Sequence, residues 1–398
     1  MSQKTSPSSS IVLIAAQRTP IGAFQGALAG ANAIQLGAAA AGGAIAAAGV
    51  RPGDIGEVIM GCVLSAGLGQ APARQAAIAA GIPHATPATT INKMCGSGMK
   101  AIMLAADQIR AGDVDVVLAG GLESMTNAPY LLPKARGGYR MGHGEVLDHM
   151  YFDGLQSPFD GQMMGCFAEM AADKYGFSRA AQDAFATESV RRAQAAVSGG
   201  TFTAEVTPVM VKGRKGEILV DKDETPFNCD IQKIPTLKAA FRKEGTVTAA
   251  SSSSISDGAA AVIVTSEAAA RRLGARPLAR VLAYASHAQA PEWFTTAPVG
   301  AIRKVLAAAG WKADDVDLYE VNEAFAAVTM VAMHDIGIDH ARINVHGGAC
   351  ALGHPIGASG ARIVTTLVHA LKRAGNRRGI ASLCIGGGEA TAIAIELL

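Results

Sequence analysis

Charge runs, paired cysteines and membrane-length apolar stretches are all missing from this chain of 398 residues. Charged residues make up only 17% and the formal net charge is +2. With no Lys/Arg-rich run interleaved with aromatics, nucleic acid is not an expected partner. No stretch approaches the roughly 20 apolar residues of a membrane span, so no membrane association is expected. The opening M-S-Q-K-T-S-P-S-S-S lacks the apolar segment of a secretory signal and reads as a short flexible tail. The closing A-I-E-L-L is not the S-K-L peroxisomal address. Cysteines at 62, 95, 166, 229, 350 and 384 form no C-x-x-C pair and no Cys/His ligand spacing, which excludes a structural zinc site; no metal is expected. Their scatter points to reduced thiols and a cytoplasmic location.

What is present is apolar and glycine-rich: 49% hydrophobic residues and 46 glycines, the composition of a compact α/β enzyme. The length exceeds one ordinary core, and the chain explains this by repeating itself. Ala46–Met60, A-A-A-G-V-R-P-G-D-I-G-E-V-I-M, matches Ala307–Val321, A-A-A-G-W-K-A-D-D-V-D-L-Y-E-V, 261 positions on. Cys95-Gly-Ser-Gly98 with its following helix matches Gly357-Ala-Ser-Gly360, 262 positions on. Val116–Ser124, V-V-L-A-G-G-L-E-S, matches Ser382–Ala390, S-L-C-I-G-G-G-E-A.

After the third match the second copy makes one more strand, Thr391 to Glu396, and stops. The first copy runs on for over a hundred residues to Asp257–Ser266, D-G-A-A-A-V-I-V-T-S, which reads as the equivalent strand. The expected organisation is therefore an N-terminal half at 1–122 and 248–273, an inserted loop domain at 123–247, and a C-terminal half at 274–398. Continuous apolar strands at Ile11–Ala15, Val58–Val63, Val114–Ala119 and Ile380–Ile385 alternate with helical stretches, as sheets covered on both faces require. The insertion is rich in Gly and Met, and its clearest helix begins after Ser178 as N-cap.

The stretch N-K-M-C-G-S-G-M-K, 92 to 100, places Cys95 in a loop that feeds a helix. Free N–H groups and the positive dipole end favour a thiolate there, the glycines allow close approach by a substrate, and Ser97 is a candidate cap. A small buried cysteine before a helix is the plain alternative. If the halves pack about a pseudo-two-fold axis, the Cys95 loop meets its counterpart near Gly357, and with it His354 in G-H-P-I-G-A-S-G. Cys384 in C-I-G-G-G and Asn322 in V-N-E-A-F-A lie at the matched strand ends. Taken singly, His354 reads as a turn residue, Asn322 as a cap for a helix at Glu323, and Cys384 as an ordinary strand cysteine.

Taken together, N-K-M-C-G-S-G, N-E-A-F-A, G-H-P-I-G-A-S-G and C-I-G-G-G, with A-A-Q-R-T-P-I-G near the start, resemble the thiolases over essentially the whole chain, and specifically the short-chain acetyl-CoA acetyltransferases. The resemblance implies the thiolase fold, two duplicated βαβαβ-type halves, each with a mixed sheet between helices, plus an inserted loop domain. It implies condensation of two acetyl-CoA to acetoacetyl-CoA and CoA, reversibly, with CoA thioesters as substrates and no permanently bound cofactor. Cys95 is then the nucleophile that carries the acetyl group, His354 its base, and Cys384 the acid/base at the α-carbon. One oxyanion hole is implied at the backbone N–H groups of Cys95 and Gly386, and the other at His354 with a water held by Asn322.

Ser253 falls on the serine that touches pantetheine in the family, where T-A-G-N-A-S-G-x-N-D-G is typical. Here the loop reads T-A-A-S-S-S-S-I-S-D-G, with Ala250, Ser251, Ser254 and Ser256 in place of glycines and asparagines. The arginine that many relatives carry shortly after D-E is absent from D223-E-T-P-F227. H-P-I-G-A-S-G favours the biosynthetic type over a degradative 3-ketoacyl-CoA thiolase of broader chain length. E-S-M-T-N-A-P and the glycine-rich loop after it resemble the segment by which such enzymes form homotetramers, as dimers of dimers. A ketoacyl synthase, a non-catalytic acyl-CoA-binding relative and a Cys95–Cys384 redox protein are the other readings; Cys384 at the G-G-G turn argues against the first, and the presence of Cys95, His354 and Cys384 against the second.

Overall fold

The computed structural model describes residues 10–213 and 216–398, so the expected N-terminal tail lies outside the described residues save for Ser10. The first half comprises β1 (Ile11–Arg18), β2 (Gly22–Ala23), α1 (Ala33–Ala48), β3 (Glu57–Gly61), α2 (Pro72–Ala79), β4 (Ala88–Ile91), α3 (Ser97–Ala111) and β5 (Val116–Ser124). The excursion that follows holds β6 (Tyr130–Leu131), β7 (Leu147–Asp148), α4 (Met164–Tyr175), α5 (Arg179–Ser198), β8 (Val209–Gly213) and β9 (Gly216–Val220). The chain then returns as β10 (Ser256–Ser266) and α6 (Glu267–Leu273). The second half is β11 (Ala279–Ala288), α7 (Ala297–Ala309), β12 (Leu318–Val321), α8 (Ala326–Ile336), α9 (Ala349–Leu352), α10 (Ile356–Ala374), β13 (Arg378–Ile385) and β14 (Glu389–Leu397).

Strand order runs β12-β13-β14-β11-β1-β10-β5-β3-β4. Outward from the centre, β11, β14, β13, β12 mirror β1, β10, β5, β3. On each side the inner pairings are antiparallel and the β12–β13 and β3–β5 pairings parallel. The two half-sheets meet edge to edge through a short antiparallel pairing, Val12 with Arg280 and Leu13 with Ala279. That join has no signal in the sequence, because it is made by two register pairs on strands already committed to other neighbours.

Period-two alternation decides the layers. Along β10, Ala260, Val262 and Val264 enter one buried cluster and Ala259, Ala261 and Ile263 another, so both faces of the strand are covered. The first cluster also contains α3, α10 and strands from both halves, which makes these two helices the middle layer. Helices α1 and α2 cover the outer face of the first half, and α7 and part of α8 that of the second. Both α3 and α10 end on a left-handed glycine, Gly112 and Gly375, after basic residues in the last turn. Ser178 caps α5, its hydroxyl accepting from Ala181 N at 3.2 Å. Among the described residues no helix is long and apolar enough to cross a membrane.

The third repeat diverges in shape. In the first half β5 continues through Gly120 and Gly121 to Ser124; in the second, β13 stops at Ile385 and the chain reverses at Gly387 and Gly388, both left-handed, into β14.

Candidate active site

The turn carrying Cys95 is built by side chains on either side of it. Asn92 Oδ1 accepts from Met94 N at 2.9 Å, and Met94 adopts φ of 48°, a left-handed strain uncommon for a residue with a Cβ. Ser97 is not the N-cap of α3, a place taken by Gly96 without a side-chain bond. Instead its hydroxyl accepts from Lys93 N at 2.8 Å and donates to Met94 O at 2.6 Å, closing the turn on itself. A Cβ on Gly96 would lie 2.4 Å from Ile385 Cδ1, so a larger residue at 96 would have to displace the Ile385 side chain at the end of β13.

His354 occupies the loop between α9 and α10 and is buried. Its backbone N donates to Ser254 O at 3.1 Å, which ties it to the serine run. The imidazole Nδ1 lies 2.5 Å from Ser359 Oγ, and that hydroxyl donates to Pro355 O at 2.9 Å. With its own proton so committed, Ser359 accepts, Nδ1 carries the hydrogen, and Nε2 keeps a lone pair. Nε2 has no partner in the protein among the described residues. Burial and the nearby Arg362 charge push His354 down to about 3, so the ring is neutral.

Cys95 departs from the expectation of a thiol acidified by its helix. Burial pushes it up to about 11; the N–H groups of Gly386 and of Cys95 itself pull the other way and do not overcome it, and the Glu123 carboxylate adds to the rise. Loss of water outweighs a helix terminus at this depth. Cys384, fully buried on β13 in an apolar cluster with Phe294 and Phe325, is held well above its ordinary value by burial and then by the charge of Cys95.

Asn322 does not cap a helix, since α8 begins at Ala326. It is buried, its N donates to Ser382 O at 3.0 Å, its Nδ2 is 3.5 Å from His354 Nδ1, and its Oδ1 has no partner among the described residues. Cys95, His354, Gly386 and Ser253 all line one cavity of about 260 Å³ with Phe241, Phe294, Phe325, Met163 and Met164. Cys384 lies behind that wall, beside Phe294 and Phe325. The serine run satisfies itself: Ser251 Oγ accepts from Thr248 N at 2.8 Å, Ser252 Oγ donates to Thr248 O at 2.7 Å, and Ser256 Oγ to Ser254 O at 3.0 Å. Hydroxyls thus hold a loop in which glycines and asparagines are usual. Sequence reasoning missed Ser359, although its counterpart Ser97, 262 positions earlier, marked it as the residue that ties a reactive turn.

The starts of α3 and α10 thus meet with a thiol just before one and an imidazole just before the other, on a duplicated α/β scaffold. The chain belongs to the thiolase family: residues 11–268 match the thiolase N-terminal domain and residues 275–397 the thiolase C-terminal domain. It is 50% identical to an acetyl-CoA acetyltransferase of Pseudomonas aeruginosa over 97% of this chain and 98% of that protein. It is 48% identical to one of Cupriavidus necator, over 97% and 99%. The crystal structure of the Bacillus anthracis acetyl-CoA acetyltransferase superposes with a TM-score of 0.95 at 41% identity, covering 98% of this chain and 99% of that one.

Proposed function

We propose that this thiolase is an acetyl-CoA C-acetyltransferase of the biosynthetic, short-chain type, condensing two acetyl-CoA to acetoacetyl-CoA and CoA through an acetyl-cysteine. The observation that carries this reading is the convergence of a neutral thiol and a neutral imidazole, its Nε2 unpartnered among the described residues, on one apolar cavity, with a second buried thiol behind the Phe294 and Phe325 wall. The names and full-length coverage of the relatives support it.

Cys95 gives its proton to His354 Nε2 as Sγ attacks the thioester carbonyl. Because the resting thiol and imidazole are both neutral, proton transfer and C–S bond formation proceed together. The oxyanion develops against the N–H groups of Cys95 and Gly386, which already point at the thiol. CoA leaves as the thiol, taking its proton from Cys384, which becomes the thiolate while His354 stays protonated. Cys384 then removes a proton from the α-carbon of a second acetyl-CoA, whose enolate is held by His354 and a water on Asn322. Its carbon attacks the acetyl-enzyme, the C–S bond breaks, and the departing Cys95 thiolate takes back its proton from His354. Phe294 and Phe325 beside Cys384 suit a short acyl group.

Ser253 contacts the pantetheine. The segment 123–247 supplies the rest of the CoA surface and joins two dimers into a homotetramer. Exposed apolar side chains on it, Tyr130, Leu132, Met141 and Val146, support that assembly, which light scattering tests. Free thiols throughout suit a cytoplasmic location.

The deciding experiment is intact-mass analysis with peptide mapping after brief exposure to acetyl-CoA, on the wild type and Cys384→Ala. One acetyl group on Cys95 in both proteins, with acetoacetyl-CoA made only by the wild type, is the expected result. Label elsewhere, or none, overturns the assignment.

A further inference from the structure

We propose that Glu123 and Glu389, the carboxylates the duplication places after each Gly-Gly pair, are reciprocal positioning residues, each holding the reactive turn that belongs to the other half. The inference rests on the roles given above to Cys95 and His354.

Glu123 ends β5 in the first half and is fully buried. Its Oε2 accepts from Val63 N at 3.0 Å and from Gly357 N at 2.8 Å; its Oε1 accepts from Leu64 N at 3.0 Å. Gly357 lies three residues after His354 in the first turn of α10, so this carboxylate grips the helix start from which the base loop hangs. A Cβ at 357 would stand 2.7 Å from Oε2. No cation pairs with Glu123 among the described residues. A buried carboxylate without an ion pair is costly to keep, and three converging N–H donors, two from the chain after β3 and one from the first turn of α10, offset that cost only where the geometry is fixed.

Glu389 opens β14 in the second half and forms an ion pair with Lys93, two residues before Cys95. Lys93 anchors the nucleophile turn at both ends: its N–H donates to Ser97 Oγ at 2.8 Å and its carbonyl accepts from Gly96 N at 3.0 Å. The first half therefore fixes the base of the second, and the second fixes the nucleophile of the first. An error of about 1 Å between reacting groups is enough to cost about a hundredfold in rate, so the two links act on the acylation step and not on affinity for CoA.

The test follows Cys95 acetylation by time-resolved intact mass over a range of acetyl-CoA concentrations. The proteins are wild type, Lys93→Glu, Glu389→Lys, the double exchange and Glu123→Gln. Each single reversal, and Glu123→Gln, is expected to slow the saturated acetylation rate about tenfold or more with the half-saturating concentration within about threefold, and the double exchange to recover to within about threefold of wild type. Single reversals at the wild-type rate, or a double exchange no faster than either single, overturn the proposal. If Glu123→Gln does not fold, the exchange of Lys93 and Glu389 decides alone. A wild type that is not acetylated on Cys95 refutes the enzymatic reading instead, which keeps the two failures apart.

Discussion

Gly98 on α3 and Gly360 on α10 are partners across the duplication, and each lies against the other's helix. A Cβ on Gly98 would stand 2.8 Å from Ala361 N, and one on Gly360 would stand 2.4 Å from Met99 N. The crossing sets the distance between the two helix starts, and so between the turn of Cys95 and the turn of His354.

Overpacking that crossing is expected to be destabilising at either position. Gly98→Ala and Gly360→Ala should each lose about 1–3 kcal/mol in urea unfolding, with Gly360→Ala the worse because its closest obstacle is nearer backbone. A helix-interior glycine replaced without any clash would gain stability instead; an unchanged or raised urea midpoint would contradict the close crossing.

The protonation state of the site is open to alkylation. With Cys95 pushed up to about 11 and His354 neutral down to about 3, the iodoacetamide rate at Cys95 should keep rising with pH beyond 9 and level only near 11. A plateau between about pH 5 and 8 would mean a standing thiolate–imidazolium pair of the kind a helix terminus alone can create, and would sink the coupled transfer described above.

Ser359 orients the base without touching substrate. Removing its hydroxyl in Ser359→Ala frees Nδ1 and lets the ring turn or change tautomer, so kcat should fall by about ten- to a hundredfold with KM within about threefold. Ser359→Thr keeps the acceptor and should recover part of the loss. Equal kcat in Ser359→Ala and wild type would remove the hydroxyl from the mechanism.

Burying His354 as the neutral ring makes acid costly. Its folded pKa lies below the unfolded value near 6.5, so its contribution is intact above that pH. It is lost as pH falls, at up to about 1.4 kcal/mol per pH unit, until about pH 3. His354→Gln should therefore show a shallower loss of stability between pH 7 and pH 4, measured by urea midpoints. Parallel curves for the two proteins would show that the ring is not buried neutral.

Much of this was legible in the residues. The duplication gave the mirrored strand order, because helix, turn and strand recur at nearly constant spacing, and it indicated that the Cys95 and Gly357 turns would meet. The Asp257–Ser266 strand was readable as the return of the first copy because the second copy makes one more apolar strand, Thr391 to Glu396, after the matching Gly-Gly-x-Glu. Three things were not readable. The acidity of Cys95 depends on how much water the assembled halves exclude, which no local pattern records. The divergent ends of β5 and β13 follow identical Gly-Gly pairs and differ next at Leu122 against Gly388, where the left-handed φ of 89° at Gly388 belongs to the reversal. The serine run departs from the family's pattern, yet its hydroxyls rebuild the turn by bonding to neighbouring backbone.

The seam between the halves makes the two copies depend on each other. The counterparts of Cys95, His354 and Cys384 in the opposite copy are Gly357, Asn92 and Leu118, so neither copy retains a full set of reactive groups. On the roles proposed for these groups, each copy holds what the other lacks, so neither half alone assembles the site. Each can drift at its outer helices, but a change at the shared crossing must be answered by the sibling.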